Sequence, residues 1–315
     1  MAPAAGERIW RPGRPVSVGA TLSAFVRGRS DPCHRGLPDG SWLRASRTPA
    51  GPALLHLLPR PAGADVLARA WGPDGAVEWA LDGVPDLLGA RDDDASFSPA
   101  REHPRLVAAH RARTGWHVPR SQAVLEALVP AALEQRVTGQ ESRRAWRLLV
   151  TRFGTPAPGP GGGSGLFVPP DAAGWAAIPS WEWLRAGVEE ARSRVVLAAC
   201  RVAGGLERTV DVAPGEAARL LRSVPGVGVW TAAEIRQRAH GDADAFSWSD
   251  YHVAANVSWA LTGQPLDDAG CAQVIERYRG HRYRVQRLLE LDGVARPRRA
   301  PRMTLPTHLP RVPGG

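Results

Sequence analysis

Apolar positions along the chain fall into two regimes. Between about residues 15 and 98 they come in short runs: Val16-Ser17-Val18, Thr21 to Phe25, Ser41 to Arg47, Ala53 to Leu58, Val66 to Trp71 and Ala76 to Leu81. Thr48-Pro49-Ala50-Gly51 and Gly72-Pro73-Asp74-Gly75 punctuate them as turns, so this part reads as a small antiparallel sheet. From about residue 100 the spacing becomes helical. Ser121 to Val137 and Gln140 to Phe153 are amphipathic, the latter ended by Gly154, and Trp181 to Leu206 resumes as a long helix. Between them Thr155 to Gly165 (TPAPGPGGGSG) is too rich in Pro and Gly for a regular element and is expected to be a flexible surface loop. It lacks the Gly-Lys-Ser/Thr ending of a phosphate loop. The pattern predicts an α+β protein: an antiparallel β domain over 1–98, a mostly helical domain over 99–295 and a disordered Pro/Arg-rich tail over 296–315.

One helical segment carries candidate chemistry. Leu220, Leu221 and Val224, then Trp230, Ala233 and Ile235, give apolar faces on either side of Pro225-Gly226-Val227-Gly228, which predicts helix, tight turn, helix over about 220–240. The glycines permit positive φ and close approach of another backbone. Free N–H groups at the start of the second helix make an anion site suited to phosphate. A bare Gly-x-Gly turn serves equally well in a plain αα-hairpin. Downstream, Asp250 precedes the helical run Tyr251 to Leu261, the place of an N-cap. A cap and a catalytic carboxylate are compatible there, because a helix N-terminus favours negative charge.

The wider pattern resembles the helix-hairpin-helix DNA glycosylases, and within them the DNA-3-methyladenine glycosylase II group. Val224 to Gly228, Trp230-Thr231-Ala232 and Asp250-Tyr251 match its signature. Val124 to Phe153, with Leu133-Glu134-Gln135-Arg136-Val137-Thr138-Gly139, looks like its earlier helix pair and Gln-containing turn. The resemblance covers roughly residues 100 to 295, and one departure is visible: the family often carries Pro shortly after a triplet like Asp244-Ala245-Phe246, where Ser247 stands here.

The resemblance implies a helix-hairpin-helix domain behind an N-terminal β domain without catalytic residues, excising alkylated purines from double-stranded DNA. Asp250 would stabilise positive charge building on the deoxyribose and orient a water towards C1′. Gly226, Val227, Gly228 and Thr231 would hold the strand. Trp230, Tyr251 and Glu234 would surround the extruded base, Glu234 as an acid able to attract a cationic one. Gln135 and Arg136 would enter the minor groove, and Arg282 and Arg284, in the basic-aromatic run Arg279 to Arg284, would contact phosphate. The main-chain carbonyls of such a hairpin can hold a monovalent cation, but no side-chain ligand announces one.

Composition sharpens the mechanism. The sequence has no lysine, so all 40 basic residues are arginine. Bifunctional members of the family form a Schiff base through a lysine directly after the hairpin, where Trp230 stands, so a monofunctional enzyme without lyase activity is expected. Cys33, Cys200 and Cys271 are too scattered for a disulfide framework or an iron–sulfur cluster. His103, His110 and His117 recur every seventh position, which on a helix separates them by about 10.5 Å, too far to share one metal. Asp92-Asp93-Asp94 reads as a polar linker. No cofactor and no metal are expected.

A net charge of +9 and a pI near 10.8 agree with a nucleic-acid partner, although a GC-rich genome also raises arginine. No signal peptide or spanning apolar run is present, and the expectation is a cytoplasmic, nucleoid-associated monomer. Two alternatives stay open: a non-catalytic helix-hairpin-helix DNA-binding protein in which Asp250 only caps a helix, and a glycosylase for a different damaged base.

Overall fold

The computed structural model describes residues 6–60 and 65–296. The tail expected after Arg296 lies outside the described residues.

The N-terminal part holds five antiparallel strands, β1 (Gly6–Trp10), β2 (His34–Gly36), β3 (Trp42–Thr48), β4 (Gly51–Pro59) and β5 (Val66–Trp71), in the order β1-β5-β4-β3-β2. Thr48 faces Gly51 across the tight β3–β4 turn. Alternation along β4 sends Ala53, Leu55 and Leu57 to one side and Leu54 to the other, and both sides are covered. The first face packs on α1 (Val18–Leu22), α2 (Asp74–Asp82) and α3 (Val84–Leu87).

Two expected strands are therefore helices. Val18, Thr21 and Leu22, and Ala76, Val77, Ala80 and Leu81, are buried at spacings of three and four, which outweighs their resemblance to short strands.

The second face of the sheet is covered by the segment expected to be a flexible loop. Residues 155–165 instead belong to a packed hairpin of β6 (Thr155–Pro156), α7 (Pro160–Gly163) and β7 (Phe167–Val168). Its glycines serve close approach: a Cβ on Gly161 would stand 2.7 Å from the Ala157 Cβ, and one on Gly159 2.4 Å from the Trp71 ring. Ala157, Leu166 and Val168 are buried against Leu54 and Trp71.

Helices α4 (Pro104–Ala112), α5 (Val124–Leu133) and α6 (Gly139–Phe153) follow the sheet, α4 to α6 spanning the two halves of the helical core. The Glu207 carboxylate caps α5, accepting from the amides of Val124 (2.7 Å) and Leu125 (2.9 Å), and Thr138 with Glu141 forms a capping box on α6. The long helix expected over Trp181 to Leu206 is divided. After α8 (Ala172–Ala176), the chain forms α9 (Ser180–Arg185), α10 (Glu190–Arg201) and α11 (Ala203–Glu207), with Gly187 at φ +82° between the first two. Then come α12 (Pro214–Arg222), α13 (Val229–Ile235), a π-helical turn over 236–240, α14 (Val253–Thr262), α15 (Asp268–Ile275) and α16 (Arg282–Leu291).

Two helical cores result. One gathers α5, α6 and α8 to α13; the other gathers α4, α14, α15 and α16 with Phe97 and Trp116. The chain crosses between them over residues 241–252, and the candidate site lies at that crossing. Among the described residues, no helix is long and apolar enough to cross a membrane.

Candidate active site

The α12–α13 turn is built as its sequence requires. Gly226 has φ +85°, and its missing side chain lets the turn lie against α10, since a Cβ would stand 2.4 Å from Val195 Cγ2. Val227 is buried in the core and fixes the turn from below. Gly228 opens α13 with nothing within 4 Å of where its Cβ would be. The first-turn amides of α13, which have no intrahelical acceptor, thus point past an unobstructed glycine. Gly226→Ala should destabilise the protein by about 1–3 kcal/mol through positive φ and overpacking. It should also weaken DNA binding, with urea denaturation and fluorescence anisotropy as the two readouts.

Asp250 lies beside this hairpin. Its Oδ2 accepts from Trp230 Nε1 at 3.0 Å, and its Oδ1 accepts from the amides of His252 (2.8 Å) and Val253 (3.1 Å) at the start of α14. Asp250 therefore does cap a helix, and its other oxygen is held by the helix that leaves the hairpin. Both Asp250 and Trp230 remain half-exposed. The fixed carboxylate is thus open to solvent next to a turn suited to phosphate.

The Gln-containing turn meets the same hairpin. Gln135 Nε2 donates to the Gly226 carbonyl (3.0 Å) and to Thr231 Oγ1 (2.9 Å). Arg136, next to it, is exposed with φ +56°, a conformation that costs a non-glycine residue about 1–3 kcal/mol and turns its side chain outward. Glu134, just before, pairs with Arg27 at 2.9 Å, anchoring the turn to the N-terminal part.

Several residues expected at the site stand elsewhere. Thr231 is buried and holds Gln135, so it does not face outward. Tyr251 is 85% exposed, its ring edge-on to His252. Glu234, one turn beyond Trp230, is buried: Arg238 NH1 donates to its Oε2 (2.8 Å) and the Ser247 hydroxyl to its Oε1 (2.7 Å). Burial alone would raise its pKa, but Arg238, Ser247 and Arg27 outweigh burial and hold it below the usual carboxylate range. Its charge is therefore already paired, not free to draw in a cationic base.

Arg282 is tied to Asp244 through its side chain and its amide, and burial of Asp244 is outweighed by these bonds, so that its pKa also falls. Arg284 is buried and clasps both oxygens of Asp92, NH1 at 3.0 Å and NH2 at 2.5 Å, which removes it from any DNA surface.

Asp92 is thus no linker residue. Together with Asp94 and His117 it offers donor atoms within 4.8 Å of one another. The oxygen facing His117 already accepts from Arg284 and from the Val118 amide (2.9 Å), leaving it both lone pairs engaged and no free position for a metal. Nothing local in the sequence signals this meeting, nor the bonds of Arg27 to Glu134 and of Gln237 and Gln286 to Ser247.

Known proteins share this fold. No family model matches the chain. The probable bifunctional transcriptional activator/DNA repair enzyme AlkA of Mycobacterium tuberculosis is 28% identical over 233 residues, covering 67% of this chain and 42% of that relative, so the chain spans less than half of its length. The 3-methyladenine DNA glycosylase of Archaeoglobus fulgidus has the same fold, with a TM-score of 0.73 over 90% of this chain and 96% of that one at 18% identity. The 8-oxoguanine glycosylase/lyase of Clostridium acetobutylicum, solved with double-stranded DNA, gives 0.67 over 91% and 96% at 12% identity. The solved structures show a shared fold, and the sequence relative is in line with the resemblance of residues 100–295 to the DNA-3-methyladenine glycosylase II group.

Proposed function

We propose that this protein is a monofunctional DNA N-glycosylase that removes alkylated purines of the 3-methyladenine type from double-stranded DNA. The observation that carries the reading is the Asp250 carboxylate, half-exposed and locked at 3.0 Å to Trp230, two residues beyond Gly228 of the hairpin. A strand gripped through phosphate at that hairpin would present a neighbouring sugar to the carboxylate.

Breaking the N-glycosidic bond leaves positive charge on the sugar, and a fixed negative charge lowers that barrier without reorganising. The same carboxylate would orient a water for attack at C1′ and take its proton. An N-alkylated purine is cationic and leaves readily, so no acid catalyst is required on the base. Arg136, held outward on its strained turn, would occupy the space left by the rotated nucleotide, and the exposed Tyr251 would meet the strand beside Asp250.

A lyase reading, suggested by the fold shared with an 8-oxoguanine glycosylase/lyase, lacks its nucleophile: the sequence has no lysine, and Trp230 follows the hairpin. Product analysis tests this. After incubation with methylated duplex, the strand should stay intact until alkali or heat cuts it at abasic sites. Borohydride should trap no protein–DNA adduct. A trapped adduct, or nicking without alkali, would contradict the monofunctional mechanism.

A further inference from the structure

Ser247, the position at which the sequence departs from the family pattern, sits at the centre of a buried polar cluster that the reaction chemistry leaves unexplained. It is 0% exposed. Its hydroxyl donates to Glu234 Oε1 (2.7 Å) and accepts from Gln237 Nε2 (2.9 Å) and Gln286 Nε2 (3.0 Å), while its amide donates to Gln286 Oε1 (3.1 Å). A hydroxyl has one proton and two lone pairs, and all three are used. A proline here would supply neither the hydroxyl nor the N–H.

We infer that Ser247, clamped by Glu234, Gln237 and Gln286, is a positioning residue that holds the Asp250 carboxylate at its working place; the inference rests on the glycosylase reading of Asp250. The link is short. The Ser247 carbonyl accepts the Asp250 amide (3.3 Å), closing a turn in which Ser249 has φ +65° and donates its own amide to Asp268 Oδ2 (2.8 Å). Such a conformation persists only where its surroundings impose it.

Trp230 and Glu234 lie one helical turn apart on α13 and reach the same loop, Trp230 at Asp250 and Glu234 at Ser247. Arg238 extends the row, bonding Glu234 Oε2 and, through Nε, the Ala24 carbonyl of the N-terminal part (2.8 Å). Gln286 joins from α16. The clamp therefore ties the catalytic loop to the hairpin helix, to the last helix and to the β domain at once. The Glu234 carboxylate acts by orienting Ser247, not by contacting the base.

The test compares Ser247→Ala, isosteric Glu234→Gln and the double variant under single-turnover conditions on methylated duplex. Affinity for a duplex carrying a tetrahydrofuran abasic analogue and far-UV circular dichroism are measured alongside. Each single change should slow base release by roughly 10- to 100-fold, as expected for displacement of a catalytic group by a fraction of an ångström to 1 Å. Affinity should stay within about threefold, since the hairpin itself is untouched. The double variant should be no slower than the slower single one, because both break one clamp.

Wild-type rates in either folded single variant, or losses that multiply in the double variant, would overturn the inference. So would a loss in Glu234→Gln confined to cationic bases and absent for neutral hypoxanthine, which would make Glu234 a base-reading group. If Ser247→Ala does not fold, Glu234→Gln carries the test alone through the comparison of rate with affinity. Failure of the wild-type protein to release any base would sink the glycosylase reading itself, and the clamp with it.

Discussion

Asp250→Asn is expected to slow base release by about 10²- to 10³-fold, the usual effect of removing one preorganised electrostatic group from a transition state. The substitution is nearly isosteric. Its side-chain oxygen can still accept from the His252 and Val253 amides, and Asn caps helices about as well as Asp. Folding should therefore change little, and the melting temperature should stay close to that of the wild type. What is lost is the negative charge, the base that takes a proton from water, and the bond from Trp230 Nε1, which would face an amide nitrogen in place of the accepting Oδ2. DNA affinity should hold or rise slightly, since one anion near the phosphates is gone. Single-turnover rates beside thermal melts separate the two contributions. A rate unchanged by this substitution would reduce Asp250 to the helix cap that it also is.

Arg284→Ala is expected to act the opposite way, on stability before function. The Arg284 guanidinium is 2% exposed and is the bidentate partner of an equally buried Asp92. Removing one member of a buried pair leaves the other charge uncompensated and costs about 3–5 kcal/mol. For a protein of this size that lowers the melting temperature by on the order of 10 °C. Below the transition, DNA affinity should be near that of the wild type, because no part of Arg284 reaches the surface. Thermal melts and anisotropy on one preparation check both halves, and a stable variant with weakened DNA binding would return Arg284 to the DNA interface.

That contrast marks where the sequence was legible. The hairpin, its two flanking helices and the position of Asp250 follow from local rules: glycine at a positive φ, apolar spacing of three and four, and an acid before a helix. Those rules act within a few residues and survive folding unchanged. Arg282 and Arg284 show the limit, since nothing in a basic-aromatic run tells an exposed arginine from one clasped by Asp92 or Asp244, 192 and 38 residues away. Glu234 is similar. Its place one turn beyond Trp230 was readable, but its pairing with Arg238 and Ser247 depends on how α13 packs against the 241–252 crossing.

Short elements failed for another reason. Ala76 to Leu81 and Thr21 to Phe25 offer so few apolar positions that strand and helix spacings both fit, and packing on the sheet decides between them. In the segment 155–165 glycine and proline suggested freedom, whereas the glycines at 159 and 161 are there so that Trp71 and Leu54 can come close. Composition reports what a backbone is able to do; contact decides what it does.

The central claim, a carboxylate set beside a strand-gripping hairpin to break an N-glycosidic bond, is tested most directly by identifying what is released. Duplex DNA treated with a methylating agent is incubated with the wild-type protein and with Asp250→Asn, and the filtrate is read by mass spectrometry. The expected result is free methylated purine from the first and almost none from the second. Equal release by both, or no free base from either at concentrations where both bind the duplex, would contradict it.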